Sequence, residues 1–270
     1  MKILNDELHK LTFDYYKNYY KSQLGLKDWE QRVNLRLEEE INFSQNQNFE
    51  LLKNNFNLEF EGKKILVVGS GTGGECIFFS KKNMDVIGIE PNQEANQIAK
   101  LKINKFNLKN IEIKEGMSEN IDFEENYFDF VYCYSVLEHV KDVKKSIDEM
   151  IRVLKNKGYL LISTPDYRQF YEPHYKLPLP MFLPKIINKL LLFVLRRPTK
   201  FLDTLNLVNS KELLNIFSRR EVIPTRIYHQ IPNHWFNNKS IQLNLIKYIT
   251  IKFGIQKTQF WLIKKNFKND

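Results

Sequence analysis

The chain has 270 residues, 43% of them hydrophobic, which is enough to bury one sizeable core with embellishments. Residues 1–30 carry no leader pattern and no apolar run reaches the roughly 18 residues a membrane span needs, so neither secretion nor a spanning segment is expected and the reading is cytoplasmic. The net charge of +9 is concentrated at one end, because residues 185–270 hold 16 Lys and Arg against 4 Asp and Glu; scattered as they are, with no nucleic-acid-binding motif, they exclude nucleic acid as the expected partner.

Residues 1–60 read as helices that cap a larger body. "ILNDELHKLTFDYYKNYY" and "KDWEQRVNLRLEEEINFSQNQNFELLKNNF" place apolar residues three and four apart with charges between. Residues 61–165 change to short β-branched runs alternating with amphipathic stretches: "KILVV", "GECIFFSKK", "MDVIGIE", "NQEANQIAKLKINKF", "NIEIKEG", "FDFVYCYS", "KDVKKSIDEMIRVLK" and "GYLLIST". That alternation predicts an α/β, Rossmann-like core with a mostly parallel sheet and helices on both faces. Residues 166–209 break the rhythm. The stretch from Pro165 to Asn206 carries six of the nine prolines and predicts a lid inserted after the fifth strand, with one short apolar helix at Pro184 to Leu195. Residues 210–270 return to the sheet: a helix "NSKELLNIFS", a strand "EVIPTRIYHQ", a helix "NKSIQLNLIKYITIKF" and a last strand "KTQFWLIKKN". Cys76 and Cys133 fall on different elements, fit no ligand spacing and read as buried core thiols of a reducing compartment.

The stretch "ILVVGSGTGGE" satisfies G-x-G-x-x-G at Gly69, Gly71 and Gly74. Glycines after a first strand allow a tight turn and close backbone approach to a phosphate or sugar, and the helix that follows offers free N–H groups. Glu90, 21 residues beyond Gly69 at the end of the second strand, is placed to accept both hydroxyls of an adenosine ribose. These two features leave NAD and other adenosine cofactors as alternatives.

Five blocks in order, "GSGTGGE", "VIGIEPN", "EGMSENIDF", "YFDFVYCYSVLEHV" and "IRVLKNKGYLLISTP", resemble the class I S-adenosylmethionine-dependent methyltransferases over residues 63–165. That resemblance implies seven strands in the order 3-2-1-4-5-7-6, the last strand reversed. It implies that Gly69, Ser70, Gly71, Thr72 and Gly73 wrap S-adenosyl-L-methionine, that Glu90 holds the ribose, and that Pro91 and Asn92 flank the adenine. Met117 and Ser118 match the loop at the adenine edge, and Tyr134 and Ser135 the strand end beneath the methionine portion. Two positions depart from the family pattern: Val67 stands where an acid two residues before the first glycine is frequent, and Met117 where an Asp is. Arg32, Arg36 or a tyrosine of "YYKNYY" in the cap helices are the candidates to make up the lost contacts.

Methyl transfer from a sulfonium is an in-line displacement, and an acceptor hydroxyl must also lose a proton, for which histidine is the natural base. His139 in "VLEHV" and His174 in "EPHYKLP" are the catalytic candidates, with Glu138, Tyr167, Tyr175 and Lys176 beside the acceptor. His9 reads as surface, and His229 with His234 lacks a third ligand, so no metal is expected. "EPHYKLPLPMFLP" resembles a segment of bacterial methyltransferases of surface-polysaccharide and glycolipid synthesis. With the basic last third, that resemblance implies O-methylation of a small or glycan-linked anionic acceptor such as a sugar, uronate or phosphoryl group. The rival expectation is a lipid-linked or quinone-type acceptor, with the apolar helix making peripheral membrane contact. An NAD-dependent oxidoreductase and a non-catalytic cofactor-binding protein are the remaining alternatives, and the chain is expected as a monomer or homodimer.

Overall fold

The computed structural model describes residues 6–42, 49, 52–53, 58–168, 170–227 and 258–266. Its centre is a seven-stranded sheet in the order β3-β2-β1-β4-β5-β7-β6, as the resemblance implies. The strands are β1 (Lys64–Val68), β2 (Asp85–Glu90), β3 (Ile111–Glu115), β4 (Phe128–Tyr134), β5 (Leu154–Pro165), β6 (Val222–Ile227) and β7 (Thr258–Lys265). β1 to β5 are parallel, and β7 runs antiparallel between β5 and β6.

The apolar runs are strands because both faces of the sheet are covered. Along β1, Ile65 and Val67 join one core while Leu66 and Val68 join the other; along β4, Phe130 and Tyr132 face the first core, Val131 and Cys133 the second. Burial raises both cysteine thiols above the ordinary range, which suits their place in the packing. Pro224 is tolerated within β6 because β6 is the edge strand and needs no second ladder partner.

The helices of the core are α3 (Gly74–Ser80), α4 (Gln93–Lys105) and α5 (Val143–Val153). Asn92 caps α4 by accepting from the Ala95 N–H at 2.9 Å, and Asp142 caps α5 by accepting from the Lys145 N–H at 2.9 Å. The N-terminal cap is α1 (Asp6–Lys17), which runs on as a π-helical segment over Asn18–Gln23, followed by α2 (Trp29–Asn42). The π-helical turn was not legible in the residue spacing.

After β5 the lid carries α6 (Lys185–Val194), bounded by Pro184 and Leu195 where the sequence predicts its helix, and then α7 (Lys200–Asp203). The lid has its own small core, in which Tyr167, Tyr175, Leu179, Met181, Leu192 and Leu202 pack on Leu24 and Leu26 of the cap. α8 (Ser210–Phe217) leads into β6. The helix expected at 238–253 and the residues His229 and His234 lie outside the described residues. No helix among the described residues is long and apolar enough to cross a membrane.

Candidate functional site

Strand β1 ends in a glycine turn whose φ angles are +66° at Gly69, +50° at Gly71 and +85° at Gly73. A Cβ on Gly69 would stand 2.3 Å from Val136 Cγ2, and one on Gly73 would stand 2.9 Å from Ala99 Cβ. The outer glycines therefore permit close packing. A Cβ on Gly71 would meet nothing within 4 Å, so the middle of the turn faces open space. At the end of β2, Glu90 Oε2 accepts from the Gly71 N–H at 3.0 Å and Oε1 from the Asn92 N–H at 2.9 Å.

Each carboxylate oxygen retains a second lone pair, so Glu90 is fixed in place with two acceptors still to offer. Burial raises its carboxyl above the ordinary range and the two backbone bonds oppose that shift. Asn96 Nδ2 donates to the Glu90 carbonyl at 2.8 Å and holds the strand end. An open glycine turn facing a doubly anchored carboxylate fits an adenosine-type cofactor: Glu90 for a ribose diol, Gly69 to Gly73 for the chain beyond it, and Pro91, Asn92 and Met117 exposed beside them.

Val67 is packed in the core and contributes no charge to this turn. A carboxylate arrives instead from the N-terminal cap. Glu40 of α2, buried, accepts from Thr72 Oγ1 and Tyr16 OH on one oxygen and from Lys102 Nζ on the other. Tyr16 OH and Thr72 Oγ1 are 2.9 Å apart, and Lys102 Nζ also donates to the Thr72 carbonyl at 3.1 Å. Burial works against the charge on Glu40, but Lys102 and Arg36 outweigh it and hold the carboxyl below its ordinary value. Thr72 is therefore a strut between loop and cap. Of the residues proposed to compensate for Val67, Arg36 reaches Tyr16 OH at 3.4 Å, while Arg32 is engaged with Asp28 at 2.6 Å. Tyr15 lies near the same mouth: burial first, then the charges of Glu90 and Glu94, push its phenol up to about 12.

A second cluster stands at the ends of β4 and β5, next to the glycine turn because Val136 touches Gly69. Ser135 leaves β4 with φ +55°, a strained conformation for a serine that swings the chain into "VLEHV". His139 is reachable from solvent, Glu138 is fully buried and His174 is nearly so. The two imidazoles sit edge to face with centroids 5.2 Å apart, and both rings pack near Phe201. His174 Nδ1 is bonded to Glu172 Oε1 at 2.6 Å, while Glu172 Oε2 accepts from the Tyr175 N–H at 2.6 Å. Glu138 Oε2 accepts from Thr164 Oγ1 at 3.0 Å, and burial pushes its carboxyl up to about 7. Asn206 ties the lid to this loop by donating its N–H to the Glu138 carbonyl at 2.7 Å.

The structure thus joins His139, His174 and Glu138 from segments 35 residues apart in the chain. Tyr167 is buried in the lid core near Glu172 and Glu138. Three expected contacts are placed differently. Tyr175 is fully buried and its hydroxyl donates to the Pro198 carbonyl at 2.8 Å, so it builds the lid. Lys176 is exposed on the turn beyond it. Ser118 turns inward, its hydroxyl 2.9 Å from Ser146 Oγ, which removes it as a partner for an adenine amino group. Ser70 is buried under the glycine turn, and Tyr134 stacks on Tyr132 at 6.1 Å with Ser135 exposed beyond it. Glu40, Lys102, Glu172 and Thr164 escaped the sequence reading; only the helical spacing of α2 marked Glu40, and it marked every acid in "LEEE" equally.

A family model described as a methyltransferase domain matches residues 66–162. The chain is 28% identical over 99 residues to the uncharacterized methyltransferase YcgJ of Bacillus subtilis, covering 37% of this chain and 39% of that one. The crystal structure of YcgJ superposes with a TM-score of 0.53 over 77% of this chain and 93% of that chain, at 17% identity, which shows a common fold. Identity is 31% over 130 residues to a demethylmenaquinone methyltransferase of Staphylococcus saprophyticus, covering 45% of this chain and 55% of that one. It is 35% over 104 residues to a ubiquinone biosynthesis O-methyltransferase of Rhodopseudomonas palustris, covering 38% and 40%. The chain spans only about two fifths to just over half the length of these curated relatives. Residues 66–162 thus match a methyltransferase domain, and the glycine turn with Glu90 has the form such a domain uses for an adenosine-bearing cofactor.

Proposed function

We propose that the chain is an S-adenosylmethionine-dependent methyltransferase that acts on a hydroxyl oxygen. The observation that carries this reading is the adjacency, through the Val136 to Gly69 contact, of the cofactor cradle to a cluster of two imidazoles and a carboxylate. S-adenosylmethionine supplies an electrophilic methyl carbon, whose bond to sulfur breaks as an acceptor oxygen bonds to it, leaving a neutral thioether.

The chain's own residues have three tasks. Glu90 and the glycine turn fix the adenosine end, so that the reacting groups meet in one geometry. The lid, held together by Tyr175 and tied to the β4 loop by Asn206, stands at the strand ends to limit water. His139 and His174 are the groups offered to orient an acceptor hydroxyl and take up its proton. The protein packed around His139, and then the neighbouring His174, lower its imidazole below the ordinary range although one edge stays reachable from solvent, and Glu172 fixes the orientation of His174.

The charge at these strand ends argues for an acceptor without negative charge there. Glu138, Asp166 and Glu172, which follow β4 and β5 and begin the lid, are all buried, and Asp166 engages both Arg168, at 2.6 Å, and Arg226, at 3.5 Å. With both arginines engaged by Asp166 and His174 engaged by Glu172, an anionic group gains little attraction here, which weakens the glycan-linked anionic reading. A quinol-type or lipid-linked hydroxyl is the favoured acceptor. α6 supports it: the helix buries only Asn188 and Leu192 and turns Ile186, Leu190, Phe193 and Val194 outward, with Arg196 and Lys200 exposed at its far end. Such a face lies readily on an anionic lipid surface.

The test offers methyl-labelled S-adenosylmethionine with two panels, hydroxylated quinol precursors in anionic vesicles and nucleotide-linked uronates. Label transferred to the first panel supports the reading. Transfer to the second alone restores the glycan-linked acceptor, and transfer to nitrogen or carbon acceptors alone contradicts a hydroxyl acceptor.

A further inference from the structure

The geometry points to a divalent metal site formed by Glu138, His139 and His174, selective for first-row transition ions. One ligand atom from each residue lies within 4.8 Å of the other two, close enough for small side-chain rotations to bring all three onto one ion. Glu138 Oε1 is buried without a hydrogen-bond partner, although the other oxygen of the same carboxylate is satisfied by Thr164. An orphaned carboxylate oxygen in a side chain of 0% exposure needs a cation or a donor, and nitrogens of two imidazoles lie within 4.8 Å of an oxygen of this carboxylate.

The surroundings have the form that metal sites use. His174 Nδ1 is committed to Glu172 Oε1 at 2.6 Å, which leaves Nε2 as its free nitrogen. Glu172 is itself fixed by the Tyr175 N–H at 2.6 Å, and Thr164 fixes the ligating carboxylate. A carboxylate behind an imidazole sets its tautomer and makes it a better ligand. Two imidazoles and one carboxylate suit zinc, iron, cobalt or manganese better than magnesium or calcium, which prefer all-oxygen shells.

His139 is solvent-accessible, so the ion would keep an open position toward the cleft. The consequence for chemistry rests on the proposed function; the binding of the ion does not. A hydroxyl in that open position is more acidic, so its proton passes to water and its oxygen attacks the methyl carbon without a separate side-chain base. The sequence could not show this site, because its third ligand comes from the lid, 35 residues after His139.

The experiment titrates chelator-treated full-length protein with cobalt(II), read by visible absorbance and by calorimetry. The expected result is one ion per chain with tetrahedral-type absorbance, displaced by zinc. His174→Ala and Glu138→Gln should weaken binding at least 100-fold, and Glu172→Gln about 10- to 100-fold while leaving the stoichiometry at one. S-adenosylhomocysteine binding, measured on the same variants, reports that they are folded. No stoichiometric ion in folded protein would overturn the site, as would an ion lost in His229→Ala or His234→Ala and kept in His174→Ala. Cobalt bound at this site by protein that fails to bind S-adenosylhomocysteine would uphold the site and overturn the proposed function alone.

Discussion

Lys102 donates to Glu40 in the interior, joining the helix that follows the Glu90 strand to the N-terminal cap, and both reach the glycine turn through Thr72. The pair makes the cap a part of the cofactor site, since the loop that must stay open at Gly71 is braced from outside the sheet. A buried pair contributes little when compared with apolar residues of equal size, but losing one partner strands a charge. Lys102→Met should therefore destabilise the protein by about 3–5 kcal/mol. The double variant Glu40→Leu with Lys102→Met should recover most of that loss. Urea unfolding of the two variants measures the difference.

The same carboxylate predicts a pH effect. Burial opposes the charge on Glu40, and Lys102 and Arg36 more than offset it, so its folded pKa lies below the ordinary carboxylate value. The stability it contributes is present above that ordinary value and disappears as pH falls through the lower, folded value. Glu40→Gln should flatten the acid limb of a plot of unfolding free energy against pH. An unchanged limb would assign the acid dependence to other carboxylates.

The two glycines of the turn should fail differently. Gly69→Ala places a methyl group 2.3 Å from Val136 in a left-handed conformation, so it should lose about 1–3 kcal/mol of stability, partly restored by Val136→Ala. Gly71→Arg has room for its first carbon and meets only the backbone strain of φ +50°, so it should fold with a smaller loss of stability and yet fill the cradle. Thermal unfolding with and without S-adenosylhomocysteine separates the two: a lowered midpoint for the first, a midpoint that no longer responds for the second.

On the acceptor side, His139→Ala and His174→Ala should leave S-adenosylhomocysteine affinity within about twofold. Each should lower turnover by roughly 100-fold or more, the scale of a lost group that takes up the hydroxyl proton or holds the ion that acidifies it. Full turnover in both variants would remove the cluster from the chemistry.

The strand order came with the family resemblance, whereas the alternation of strands and helices and the cofactor turn were legible because their signals are local. Glycines, β-branched runs and the Glu90 strand end lie within reach of one another along the chain, and the apolar helix boundaries at Pro184 and Leu195 are marked by proline and by the end of the apolar run. Val67 could be seen as a missing acid, but not that Glu40 would stand in for it, since nothing in "LEEE" distinguishes the acid that turns inward. His139 and His174 were chosen one by one for their chemistry; that they share a site with Glu138 depends on how the lid folds back. Tyr175 and Ser118 were misjudged for a common reason. A hydroxyl in a loop looks available until its partner, Pro198 or Ser146, is known.

The most direct test of the central claim is calorimetric binding of S-adenosylhomocysteine and of NAD to the intact protein and to Glu90→Ala. The account predicts one S-adenosylhomocysteine per chain, weakened by roughly 10- to 100-fold in Glu90→Ala as charged hydrogen bonds to the ribose are lost, and no heat with NAD. Binding of NAD in place of S-adenosylhomocysteine, or S-adenosylhomocysteine affinity indifferent to Glu90, would contradict it.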